Sequence, residues 1–263
     1  MAFRGKVALI TGGGSGMGQI CAWRLADLGA EVALIDVNEA GMARTAAGRS
    51  NIHPFHCDVT DLDRVKEVVS AVQDTWGPID RVTHAAAIMP TSPILDDDPA
   101  RMKQVMRINY EGTVNIVMST VPDMVERRSG DFICFGSVAG HALAPHFGAY
   151  CASKSAVNSL VEVMIMENQD SGVRFHLTCP PMVNTPLIRQ AQETSNPRSV
   201  QQGFDRNIVA DPNKIVDLVE KALEKGVTIG YPSPMAKGLY GMRRLAPKFL
   251  WKVILRSENS AQA

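Results

Sequence analysis

A chain of 263 residues is long enough to bury a substantial core and suits one large domain or two small ones. Hydrophobic residues make up 45% of it and charged residues 21%, an ordinary globular balance that excludes a disordered or membrane-spanning chain. Lys and Arg number 27 against 27 Asp and Glu, so no overall field attracts nucleic acid, and five scattered cysteines without a C-x-x-C pair speak against a disulfide framework or zinc site.

In chain order, Val7–Ile10 predicts a first strand, too short an apolar run for a signal peptide. With free thiols, this predicts a cytoplasmic protein. Helical spacing covers Ile20–Leu28 and stops at Gly29, and Val32–Ile35 predicts a second strand. A strand at Ile52–His56, a helix over Arg64–Trp76 and a weak strand at Asp80–His84 follow. Then come a long helix over Arg101–Val125, a strand at Asp131–Phe135 and a long helix over Tyr150–Asp170. A strand at Val173–Cys179 and a helix at Ile215–Lys225 complete the regular part. Between them Pro180–Asn213 is rich in Gln, Ser, Asn and Pro and predicts a loop, with 186–208 as a substrate loop.

This alternation predicts an α/β fold: one Rossmann-like, doubly wound parallel sheet with helices on both faces. Right-handed crossovers place every strand's carboxyl end on one edge, where a ligand is expected. No repeat or linker divides the chain, so residues 1–263 are expected to form a single dinucleotide-binding and catalytic domain.

The turn after the first strand reads Thr11-Gly-Gly-Gly-Ser-Gly-Met-Gly18. Strict G-x-G-x-x-G spacing fails in every register, because Ser15 or Met17 falls on a required glycine. Gly12, Gly16 and Gly18 fit G-x-x-x-G-x-G, which serves the same physics. Glycines let backbone approach a pyrophosphate, and the helix start offers free N–H groups. Asp36 ends the second strand about 20 residues beyond the glycines, where a carboxylate accepts from ribose hydroxyls and repels a 2′-phosphate. Neither Ser15 nor Val37 is Arg or Lys, so NAD is favoured over NADP. Asp58 closes the next strand and reads equally as an adenine contact or a helix cap.

Tyr150 and Lys154 are four residues apart at a predicted helix start, hence on one face. An ammonium beside a phenol favours the phenolate, which suits proton transfer. Ser137 lies 13 residues upstream and Asn109 sits in the long helix before it.

In this order the glycine turn, Asp58, Asn109 with Gly112, Ser137, Tyr150-x-x-x-Lys154 and Pro180–Pro186 resemble the short-chain dehydrogenase/reductase family, in its compact single-domain branch. The resemblance covers about residues 5–190. It implies that Tyr150 exchanges the substrate oxygen's proton. Lys154 binds the nicotinamide ribose and lowers the Tyr150 pKa, and Ser137 donates to the developing alkoxide. Asn109 orders a water, and Thr185 holds the carboxamide. The implied cofactor set is Gly12, Ser15, Gly16, Met17, Gly18, Asp36, Asp58, Val59, Ala86, Tyr150, Lys154, Val183 and Thr185, with no metal. Helices around Asn109 and Tyr150 resemble those that pair in relatives, so a homodimer or homotetramer is expected. One departure is His84-Ala-Ala-Ala87 where the family has Asn-Asn-Ala-Gly. Ala85 there removes a strand-bracing bond, and His84 reads as a packed polar residue.

Ile88, Met89, Ile94, Leu143 and Phe147 predict an apolar pocket, hence a small hydrophobic secondary alcohol or ketone as substrate, steroid-, lipid- or cyclic-ketone-like. Two other functions compete: an NADPH-dependent carbonyl reductase, or a non-catalytic dinucleotide- or lipid-binding protein. Residues 235–258 form a basic amphipathic extension, interrupted or started at Pro247. It has three open readings: packing on the body, covering the pocket or a subunit contact, and peripheral contact with an anionic membrane.

Overall fold

The structure is a computed structural model and describes Phe3 and residues 5–259. Seven strands alternate with helices. The first half runs β1 (Val7–Thr11), α1 (Gly16–Asp27), β2 (Glu31–Asp36), α2 (Glu39–Ala46), β3 (Ile52–His56), α3 (Leu62–Trp76) and β4 (Arg81–His84). Next come α4 (Pro99–Met106), α5 (Gly112–Glu126), β5 (Asp131–Phe135), α6 (Gly148–Glu167) and β6 (Arg174–Thr178). The chain continues through α7 (Pro186–Glu193), α8 (Arg198–Asp205), α9 (Pro212–Glu224), β7 (Ile229–Gly230), α10 (Pro234–Leu245) and α11 (Pro247–Asn259). All strands are parallel, in the order β3-β2-β1-β4-β5-β6-β7. The order reverses between β1 and β4, so a crevice opens at their carboxyl ends.

Helices cover both faces, which is why the central strands are apolar throughout. Alternate residues of β1 feed opposite cores. Val7 and Leu9 join Val65, Ile116, Phe132 and Val157 on one side. Ala8 and Ile10 join Ile20, Leu25, Leu34 and Val216 on the other. Asn38, Asp61, Asp98, Asp211 and Ser233 cap α2, α3, α4, α9 and α10 through their side chains.

Four departures from the predicted elements have local causes. The short α2, eight residues with Gly41, Met42 and Thr45 buried, follows a turn-like Asp-Val-Asn and offers too little periodicity to read. The predicted long helix starts at Pro99 and is split by a π-turn at Arg107–Glu111. The predicted loop Pro180–Asn213 holds α7 and α8, two eight-residue helices anchored by Ile188, Ala191 and Val200. The extension is two helices. Ala246 precedes a proline and turns out of helical geometry (φ −141°, ψ 60°).

Away from the crevice, Arg81 is fully buried on β4. It bonds Asp131 of β5 at 2.8 Å and Glu220 of α9 at 2.8 Å, and Asp131 also accepts from Arg174 of β6 at 2.7 Å. This knot ties three strands to one helix.

Candidate active site

The β1–α1 turn depends on two left-handed glycines, Gly12 at φ +67° and Gly16 at φ +57°. A Cβ at Gly12 would lie 2.7 Å from the Ala86 nitrogen, and one at Gly18 would run into the Gly12 carbonyl. The turn therefore seats against the end of β4 and against its own helix. Ser15 is the extended residue before α1, and no side chain caps that helix. Its leading N–H groups are oriented as an anion cradle.

Asp36 is fixed beside this cradle. Its Oδ2 accepts from the Gly14 N–H at 2.9 Å and its Oδ1 from the Asn38 N–H at 2.9 Å. Asp58 accepts from the Thr60 N–H at 2.9 Å, while the cap of α3 is Asp61. Val59 is buried against Gly112, where a Cβ would approach the valine to 2.5 Å.

Three of the four catalytic candidates, Ser137, Tyr150 and Lys154, line a cavity of about 240 Å³, and Asn109 stands outside it. Met17, Ser137, Tyr150, Lys154, Val183 and Thr185 all line it, which brings the glycine-turn helix and the Tyr-Lys helix to one space. Ser137 is the side chain that favours the Tyr150 phenolate. Ser137 Oγ also accepts from the Ala139 N–H at 3.0 Å. Lys154 Nζ donates to the Phe135 carbonyl at 2.7 Å and stands 6.0 Å from the centre of the Tyr150 ring.

Burial governs the ionisation here. It pushes the Tyr150 phenol up, and the Ser137 hydrogen bond pulls the other way. It pulls the Lys154 ammonium down, against the opposing influence of Cys134 and Cys179. Ser137 is the group that favours the phenolate, while the Lys154 ammonium is anchored on the Phe135 carbonyl.

Asn109 is buried in the π-turn. Its Oδ1 accepts from the Ile88 N–H at 2.9 Å, and its Nδ2 donates to the Ile88 carbonyl at 3.0 Å and to Ser153 Oγ at 3.0 Å. The amide thus clamps the segment after β4 to α6. Thr185 is buried next to the turn, its side chain 3.4 Å from where a Cβ on Gly16 would be.

Two residues were assigned no site role from the sequence. His84 bridges Thr11 Oγ1 at 2.7 Å and Thr113 Oγ1 at 2.9 Å. It joins β1, β4 and α5 at the site's floor and supplies the bracing that Ala85 cannot. Burial, reinforced by the Lys154 charge, pushes its pKa down to about 3, so it is neutral. Asn158 holds the backbone of Ser137 from below, donating to its carbonyl at 3.0 Å and accepting from its N–H at 3.4 Å. Tyr150, Lys154 and Asn158 recur every four residues on α6, and that spacing was the readable signal.

The cavity wall is apolar. Met89 and Phe147 line it as expected, whereas Ile88 does not, and Ile94 and Leu143 are exposed. Ile188 of α7, Leu239 of α10 and Ile254 of α11 complete it. The segment 186–208 is therefore a helical cover, latched by Thr194 on Thr91 at 2.9 Å and Ser195 on His146 at 3.0 Å. Glu258 of α11 is bonded to Ser199 of α8 at 2.9 Å. The extension both packs on the body and covers the pocket.

Comparison with known proteins agrees with this geometry. Residues 6–196 match the family model for short chain dehydrogenase. An uncharacterised oxidoreductase of Mycobacterium tuberculosis is 32% identical over 198 residues, which is 71% of this chain and 58% of that protein's length. The 2,5-dichloro-2,5-cyclohexadiene-1,4-diol dehydrogenase of Sphingobium indicum is 33% identical over 192 residues, 72% of this chain and 77% of its own. A short chain dehydrogenase/reductase from Burkholderia phymatum, solved with NAD, superposes with a TM-score of 0.82 at 25% identity, covering 95% of this chain and 96% of that one. A Burkholderia cenocepacia short chain dehydrogenase solved with NADP shares the fold, with a TM-score of 0.79 at 23% identity over 97% of this chain and 99% of that one. The fold and the glycine turn are of the dinucleotide-binding type. The chain belongs to the short-chain dehydrogenase/reductase family. Among the described residues no helix is long and apolar enough to cross a membrane.

Proposed function

We propose that this chain is an NAD-dependent dehydrogenase and ketone reductase acting on an apolar secondary alcohol or its ketone. The observation that carries this reading is that the Tyr150 and Ser137 hydroxyl side chains both line an apolar cavity. The glycine turn fits a dinucleotide, since a Cβ at Gly12 or Gly18 would fill the space its backbone needs. When bound, NAD supplies the two-electron acceptor for the carbinol hydrogen.

The chain's own groups do the rest. Tyr150 takes the hydroxyl proton in oxidation and returns it in reduction. Ser137 donates to the same oxygen as negative charge builds there. Lys154 holds the nicotinamide ribose, and Thr185 and Val183 hold the carboxamide. Asn109 orders the proton-relay water, with its side chain as the clamp that fixes the π-turn. Asp36 accepts from the adenosine ribose, and its carboxylate, with no cation at Ser15 or Val37, disfavours a 2′-phosphate.

Among the described residues Lys154 is the charged side chain in the wall, and no Arg lines it to grip a carboxylate. That favours a neutral substrate, and the Sphingobium relative's cyclic diol points to a ring alcohol. The five buried free cysteines suit a reducing cytoplasm. Residues 1–263 act as one domain, and exposed Met118 of α5 with Val163 and Met166 of α6 support pairing of those helices in a homodimer or homotetramer. A panel of cyclic and linear secondary alcohols, assayed with NAD and with NADP by reduced-cofactor absorbance, tests the assignment. NAD-dependent turnover of apolar ring alcohols is expected. Turnover confined to NADP, or to carboxylate-bearing substrates, contradicts it.

A further inference from the structure

The zero net charge conceals a polarised molecule. Lys225, Lys237, Arg243, Arg244, Lys248, Lys252 and Arg256 follow one another with no acid among them. The rest of the chain carries 20 cations against all 27 acids. Six of the seven cations belong to α10 and α11.

These helices have an inner and an outer side. Leu250 is buried with Val138 and Ala142, Ile254 lines the substrate cavity, and Glu258 holds Ser199. These three recur every four residues and mark the inward stripe of α11. On the remaining surface Lys248, Lys252 and Arg256 form one row, also every four residues. Helical geometry places Trp251 and Leu255 on one flank of that row and Phe249 and Val253 on the other. All four are about half exposed, from 45% to 59%, and Leu245 at the bend is 86% exposed. Isolated apolar side chains on a surface need no explanation, but a group of five interleaved with cations does.

We propose that the outer face of the α10–α11 hairpin docks on an anionic lipid bilayer. The cation row meets phosphate and carboxylate headgroups. Leu245, Phe249, Trp251 and Leu255 enter the boundary between headgroups and acyl chains, where Trp is favoured. Charge complementarity selects this occupant, since no acid between Lys225 and Arg256 offsets the cations. Leu239 and Ile254 of the same hairpin wall the cavity, so docking brings the cavity cover to the lipid surface. This inference does not rest on the hydride-transfer reading, because docking is measured without substrate.

The test is co-sedimentation of the full chain with phosphatidylcholine vesicles, with and without about one third phosphatidylserine. The expected result is binding to the anionic vesicles alone, weakened by added salt. Lys248→Glu, Lys252→Glu and Arg256→Glu together should reduce that binding about a hundredfold or more, with an unchanged melting temperature. Bound protein should show a blue-shifted tryptophan emission that Trp251→Phe abolishes. Wild-type protein left in the supernatant overturns the proposal, as does equal binding to neutral vesicles. So does a folded triple variant that binds like wild type. A dimer in light scattering that Phe249→Ser dissociates, with vesicles unbound, assigns the face to a second copy and overturns it too.

Discussion

The side-chain amide of Asn158 closes two hydrogen bonds on the backbone of Ser137, one to its carbonyl at 3.0 Å and one from its N–H at 3.4 Å. Gly136 and Gly140 on either side have no room for a Cβ, because the Asn158 amide occupies it. The turn bearing the serine is thus wrapped around a side chain of α6, two turns beyond Tyr150. Two hydroxyls that must meet one oxygen are referenced to a single helix.

Asn158 is accordingly a positioning residue. Asn158→Ala should lower kcat by about 10- to 100-fold, the loss expected when a group is misplaced by a fraction of an ångström to 1 Å. Cofactor affinity should stay within about threefold, since the Asn158 side chain bonds Ser137 and His141 and no cofactor-binding candidate. Steady-state kinetics with fluorescence titration of NADH separates the two. An unchanged kcat would show that Ser137 needs no such brace.

Cofactor choice is read from Asp36. Its two oxygens already accept from Gly14 and Asn38, and this fixes the carboxylate where it faces an incoming ribose. Wild type should bind NADH at least about tenfold tighter than NADPH, or roughly 1.4 kcal/mol. Asp36→Ala should narrow that gap by weakening NADH. Equal affinities in the wild-type titration would remove Asp36 from the role.

His84 makes stability depend on acid. An ordinary histidine titrates near 6.5, whereas burial and the Lys154 charge hold His84 near 3 in the fold. Between these values the unfolded chain binds a proton that the folded chain refuses. The His84 contribution is therefore complete above about pH 6.5 and is lost as pH falls toward 3, at a slope of at most about 1.4 kcal/mol per pH unit. Denaturant melts from pH 7 to pH 4 should fall more steeply for wild type than for His84→Asn, which retains a donor and an acceptor for Thr11 and Thr113. Parallel curves would mean that His84 is not the titrating group.

Arg81 is a buried tie far from the site. Arg81→Ala leaves Asp131 and Glu220 buried with their shared cation gone, a change of about 3–5 kcal/mol. Chemical denaturation should show that loss with NADH affinity nearly kept in the protein that remains folded. A loss below about 1 kcal/mol would show that Arg174 suffices to hold Asp131.

The sheet was legible because buried parallel strands are continuous apolar runs, and β1, β2 and β5 stand out as such. The glycine turn, Asp36, Ser137, Tyr150 and Lys154 were legible because each sits at a fixed offset from those strands. What stayed hidden was carried by short or polar segments. Helices α7 and α8 are eight residues each and bury only Ile188, Ala191, Val200 and Gly203, too short a run for a helical period to be read. Asn158 and His84 act through bonds to partners 21 and 73 residues away, and no local pattern announces such pairs. The Lys154 anchor was hidden for the same reason: helix spacing sets Lys154 beside Tyr150, but the Phe135 carbonyl that receives its hydrogen bond comes from β5.

The central claim is that the Tyr150 hydroxyl carries the substrate proton. Its most direct measurement is kcat for NAD-dependent oxidation of the best alcohol from the panel, in wild type and Tyr150→Phe, with NADH affinity measured on the same samples. A fall of about a thousandfold or more in kcat, with NADH affinity within about threefold, is the predicted result. Oxidation by Tyr150→Phe at the wild-type rate would contradict the account.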